Sequence, residues 1–101
     1  GTAYVVELEV PGATTSHVLK CPTLGQIDEH EQASVRVIAG RRQQEIKIML
    51  EPSGALYDKL LVSNEGYVGE VPIVHKVAVV TELIQRVTEE DAADPEALTP
   101  A

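Results

Sequence analysis

The sequence predicts an α+β domain, with an N-terminal two-stranded antiparallel unit followed by two or three helices. Three observations carry that prediction. "YVVELEV" (4–10) alternates apolar and acidic residues at period two, the pattern of a half-buried strand. "TLGQ" (23–26) has the Thr-x-x-Gln spacing of a capping box. It opens a stretch with acidic residues early and basic residues late, as a helix dipole favours. In "IVHKVAVVTELIQRV" (73–87), Ile73, Val77, Val80, Ile84 and Val87 step by four, three, four and three along one apolar helix seam.

Along the first segment, Val6, Leu8 and Val10 share one side and Glu7 and Glu9 the other. "PGATTS" (11–16) reads as a flexible loop opened by a Pro-Gly turn signal. "HVLKC" (17–21) pairs back as the second strand, and Pro22, which has no N–H to give a ladder, ends it. Beyond Thr23, Ile27, Val35, Ile38, Ala39, Ile46, Met49 and Leu50 recur at helical spacings. They predict a helix from about 24 to 51, stopped by Pro52.

The same stretch supports a second reading. "SVRVIAG" and "EIKIML" also alternate at period two, and with "RRQQ" between them they make a hairpin. The alternative fold is therefore mostly β, with a second hairpin at 34–51 and one C-terminal helix. Gly40 favours it, since glycine weakens a helix interior by about 1 kcal/mol. "RRQQE", made of strong helix formers, opposes it. Ser53 predicts the N-cap of a short helix over 54–63. "NEGYVGEVP" (64–72) reads as a turn-rich loop, and Pro72 suits the first turn of the last helix. "TEEDAADPEALTPA" (88–101) reads as an acidic tail, which leaves residues 1–87 as a single small domain.

A chain of 101 residues suits one core. With no Phe, no Trp and only Tyr4, Tyr57 and Tyr67 as aromatics, that core is built from Val, Ile, Leu and Ala. A net charge of −8 and a pI near 4.7 repel polyanions, so nucleic acid is not an expected partner. Arg41–Arg42, the only adjacent basic pair, reads as a solvated face or turn. A single cysteine excludes the internal disulfide framework of small secreted domains. No apolar run approaches the roughly 20 residues of a membrane span, so no membrane partner is expected.

"HVLKCPTLGQIDEHEQ" (17–32) gathers the residues most capable of chemistry. His17, Cys21 and His30 would serve a small acidic ligand-binding or enzymatic domain, with Cys21 as nucleophile beside a histidine base. A lone strand cysteine is more often a small buried hydrophobe. Zinc would need a second ligand at short spacing, which neither Cys21 nor His30 has. Asp28, Glu29 and Glu31 lack the spacing of a calcium loop and read as the acidic first turns of a helix. No metal, cofactor or enzymatic activity is therefore expected.

The expected function is a non-catalytic protein–protein assembly or adaptor module, binding a protein partner or another copy of itself. Its expected contact residues are Val6 and Leu8 on the strand 4–10, whose edge is a template for pairing, and Val77, Val80 and Ile84 on the helix seam. The competing reading of that seam is the domain's own core.

"VLKCPTLGQI" (18–27) carries an apolar–basic–x–Pro–Thr–x–Gly step between paired strands and later helices. In this it resembles small tail-assembly proteins of long-tailed phages. The resemblance implies binding to a structural subunit or a tape-measure-like helical protein during assembly, in a cytoplasmic or virion-associated setting. It assigns no functional residue.

Overall fold

The alternating N-terminal segment pairs as the sequence predicts, and the rest of the molecule is arranged on it. The structure, a computed structural model, describes residues 3–39 and 44–93. The Gly40–Arg42 turn signals and the tail residues 94–101 lie outside the described residues. Strand β1 (Ala3–Val10) and strand β2 (Ala13–Lys20) pair antiparallel from Ala3 opposite Lys20 to Val10 opposite Ala13. The connection is shorter than the expected loop: only Pro11 and Gly12 separate the strands. Gly12 takes φ 80°, a left-handed conformation that glycine adopts without steric penalty.

Helix α1 (Leu24–Ser34) starts on the predicted capping box, with Gln26 N donating to Thr23 Oγ1 at 3.1 Å and Thr23 N donating to Gln26 Oε1 at 2.9 Å. The expected helix to residue 51 is not formed. The chain leaves α1 directly as strand β3 (Val35–Ala39), which pairs antiparallel with strand β4 (Gln44–Ile48). This is the hairpin of the alternative reading, here combined with the N-terminal part of the helix. The β-branched Val35, Val37 and Ile38 crowd a helix and suit a strand, which favours the period-two pattern. Met49 N donates to Ser34 O at 2.7 Å and closes the root of this ribbon.

Helix α2 spans Glu51–Leu60, so Pro52 lies in its first turn, where its missing N–H costs nothing, instead of ending a helix. Leu50 occupies the N-cap position, and Ser53 lies within the first turn instead of capping it. The helix ends three residues before the expected boundary. Leu61 turns to an extended conformation and begins strand β5 (Leu61–Glu65), an element the sequence pattern did not reveal. β5 pairs with β2 to give the sheet order β1-β2-β5, with a register irregularity between Val18 and Leu19. Helix α3 runs from Ile73 to Ala93, past the expected start of the tail, and Tyr4 Oη donates to the Glu90 carboxylate.

The fold is α+β. One face of the three-stranded sheet packs under α2 and α3, with Val6, Leu19, Tyr57, Leu60, Val80 and Leu83 at the centre of the core. Gly54 of α2 faces the start of α3: a Cβ there would lie 2.7 Å from Ile73 Cδ1, the end of a partly exposed side chain that would have to shift. Of the expected contact residues, Val6 and Val80 have no exposed area, Leu8 and Ile84 pack on the core, and Val77 is half-buried. The edge of β1 is engaged as well, because Arg86 Nη1 of α3 donates to Val5 O at 2.6 Å.

Two substitutions test this core and its helix start by urea denaturation. Leu83→Ala is expected to cost about 2–5 kcal/mol, because it removes a fully buried side chain. Thr23→Ala is expected to cost about 1 kcal/mol through loss of the cap.

Candidate functional site

The alternation that buries Val6 also turns Thr15 and His17 of β2 toward the helices. His17 has 0% exposure, so both its ring nitrogens must find partners inside the protein. Nδ1 lies 2.8 Å from Tyr57 Oη on α2, and Nε2 lies 3.0 Å from both Thr15 Oγ1 and Tyr67 Oη. Asn64 of β5, opposite His17 in register, donates from Nδ2 to Tyr57 Oη at 3.2 Å.

Tyr57 Oη thus accepts from Asn64 and shares a hydrogen with His17 Nδ1, while the Nε2 side of the ring faces the hydroxyls of Thr15 and Tyr67. Thr15 Oγ1 donates onward to Leu8 O at 3.3 Å, Tyr67 Oη donates to Thr15 Oγ1 at 3.1 Å, and Tyr67 Oη lies 2.9 Å from His75 Nδ1. Burial, with the nearby His75, lowers the His17 pKa below its usual value, and burial pushes the Tyr57 hydroxyl up. This cluster fastens the 66–72 loop and the start of α3 to the sheet. It is sealed from solvent at His17 and presents no reacting group.

An accessible concavity among the described residues lies elsewhere, between α1 and α2. Its volume is about 330 Å³. Ala33, Pro52, Ala55 and Leu56 line it with apolar side chains, and Gln26, Glu29, Glu51 and Lys59 with polar ones. On its wall His30 Nε2 lies 2.8 Å from Ser53 Oγ, while His30 Nδ1 is buried without a hydrogen-bond partner. Burial lowers the pKa of His30, with Glu31 opposing more weakly. A serine beside a histidine is the pairing of a nucleophile with its base, but the orienting acceptor on the second nitrogen is missing from this geometry.

His17, Cys21 and His30 are therefore not brought together. His17 joins the tyrosines, His30 joins Ser53, and Cys21 donates to Pro22 O at 3.5 Å beside Tyr4, its thiol pKa raised by burial. Among the described residues no set of three His, Cys, Asp or Glu side chains gathers as metal ligands, and no helix is long and apolar enough to cross a membrane. Sequence reasoning missed Thr15, Tyr57, Asn64, Tyr67 and His75. The available signal was polar Thr15 and His17 at alternate positions leading to Leu19, one strand face carrying buried polar groups. No protein-family model, curated protein or solved structure matches the chain.

Tyr57→Phe leaves both His17 Nδ1 and Asn64 without their partner and is expected to cost about 1–3 kcal/mol. Tyr67→Phe is expected to cost less, because Thr15 Oγ1 remains 3.0 Å from His17 Nε2. Equal losses in denaturant melts would contradict this ranking. The histidines also set a pH dependence. An unfolded histidine titrates near 6.5, and folded His17 and His30 titrate lower. As pH falls through that value, the unfolded chain takes up protons that the folded chain refuses, so stability is full above it and declines below it. Melting temperature is expected to fall from about pH 8 to about pH 5, less steeply in His30→Gln.

Proposed function

We propose that this chain is a non-catalytic protein–protein assembly module whose docking element is the β3–β4 ribbon. The observation that carries the reading is that the ribbon is a sheet of its own. It joins neither edge of the β1-β2-β5 sheet, and its register sets apolar against apolar, Val35 opposite Ile48 and Val37 opposite Ile46. Among the described residues no element besides α1 packs substantially on it. Val35 at its root is 49% exposed. A lone two-stranded ribbon is marginal in water, and its unpaired backbone is a template for a further strand.

The polar groups support the same reading, since His17 is sealed and the Ser53–His30 pair lacks an orienting acceptor. The resemblance of residues 18–27 to phage tail-assembly proteins supports virion assembly as the setting, with the chain in the cytoplasm or the particle. The docking element differs from the surface expected from sequence, because Val6 and Val80 are spent on the core.

Light scattering after size exclusion, on dilute and concentrated samples, tests the proposal. The full chain is expected to exceed its monomer mass of 10.9 kDa when concentrated. Replacing residues 36–47 with a short Gly-Ser turn is expected to return it to monomer while the melting transition of the body persists. A chain that stays monomeric when concentrated, with or without the ribbon, would overturn the reading.

A further inference from the structure

Residues 66–72, "GYVGEVP", join β5 to α3 and lie as a strap over the His17 cluster. The two ends of the strap are fixed. Glu65 pairs opposite Ser16, and Pro72 O accepts from His75 N at 3.0 Å and from Lys76 N at 3.2 Å. Between those ends only Tyr67 and Val71 are not exposed, and Val68 stands wholly in solvent. Gly66 and Gly69, at φ 100° and 124°, bracket Tyr67 and Val68 with conformations that favour glycine. Among the described residues Tyr67 makes the strap's only side-chain hydrogen bonds. Its hydroxyl lies 3.0 Å from His17 Nε2, 2.9 Å from His75 Nδ1 and 3.1 Å from Thr15 Oγ1.

One hydroxyl thus stands between two imidazoles. Among the described residues no carboxylate bonds to either ring. The groups facing His17 are Thr15 of its own strand, Tyr57 of α2, Tyr67 of the strap and His75 of α3. β1 sets apolar Val6 opposite it, and β5 contributes neutral Asn64. Glu65, the next residue of β5, falls on the other sheet face by alternation. Lys76 of α3 lies 5.6 Å from the centre of the Tyr57 ring and is paired with Asp58 at 2.8 Å, and Glu70 of the strap is exposed. A proton on His17 therefore meets no compensating charge. Burial first, and His75 second, hold its pKa below the usual value.

We infer that the strap is an acid-released latch: when His17 and His75 are both charged, Tyr67 leaves its seat and water reaches the His17 ring, while the sheet and helices stay folded. The inference stands on the cluster and does not depend on the assembly reading. In the latched form His17 is dry and refuses a proton. In the open form it is hydrated and returns toward the ordinary histidine value of about 6.5. The open form therefore binds more protons, and its population rises as pH falls. The rise is up to about tenfold per pH unit for each proton taken up. Release exposes Thr15, His17 and the Tyr67 ring, a surface that is covered in the latched form.

Nuclear magnetic resonance of the full chain, titrated from about pH 8 to about pH 4 across the histidine range, tests the latch. The Tyr67 ring signals are identified by their loss in Tyr67→Phe. The Tyr67 ring is expected to lose its Overhauser contacts with the Thr15 methyl in step with titration of the His17 ring. At that pH the Tyr57 ring is expected to keep its folded shifts. His75→Gln keeps a hydrogen-bond partner for Tyr67 and removes one charge, so it is expected to move release to lower pH, with its fold checked by melting at about pH 8.

Tyr67–Thr15 contacts that outlast the titration of His17 would overturn the inference. Loss of the Tyr67 and Tyr57 contacts together would do the same, since acid would then unfold the whole domain and not the strap. Release at an unchanged pH in His75→Gln would show that the second charge has no part in it, and the paired-histidine latch would be wrong.

Discussion

A buried imidazole at the centre of the middle strand constrains everything placed around it. An unpaired ring nitrogen in the core costs about 1–3 kcal/mol, so the face over His17 must present polar atoms at defined points. Tyr57 supplies one from α2, Tyr67 another from the loop, and Thr15 a third from the same strand. Each of these hydroxyls passes its own requirement outward, to Asn64, His75 and the Leu8 carbonyl. The placement of β5, α2 and the start of α3 on the sheet is thereby specified by directed bonds. Aliphatic packing of Val and Leu alone is less selective among similar arrangements.

That division of labour suits this composition. Without Phe or Trp, the core draws its bulk from branched aliphatics and from Tyr57, the largest fully buried side chain. A tyrosine fills space as a phenylalanine would, and its hydroxyl adds a bond at the far end of the ring. Tyr4 does the same at the rim, tying β1 to the last turns of α3 through Glu90, a bond that pushes its hydroxyl pKa well up. All three tyrosines thus join elements distant in sequence.

Local signals in the sequence were read well, and competing ones less well. The N-terminal pairing, the Thr23–Gln26 capping box and the helix beginning at Ile73 follow from short patterns that tertiary contacts reinforce. Residues 35–48 satisfy both a helical and a strand period, and β-branching tipped them to the strand where propensity at "RRQQE" pointed to helix. β5 was hidden because "LVSNE" ends in three consecutive polar residues, and its inward side is held by Asn64, through a hydrogen bond, instead of by an apolar side chain. The His17 cluster was illegible for a related reason. Its directly bonded side chains lie up to 52 residues apart and meet only once several elements have folded. The groove between α1 and α2 depends on where α1 ends, which the two periods left undecided.

Among the described residues two helix-to-strand junctions have no connecting residue: Ser34 to Val35 and Leu60 to Leu61. At the first, the ribbon is joined to the body without a hinge. Strands of five residues reach about 16 Å, so the ribbon is a cantilever whose clamped end is the last turn of α1, braced by the Met49–Ser34 bond. Ala33 and His30 of that helix also line the groove, so the arm and the cleft are built on one and the same helix.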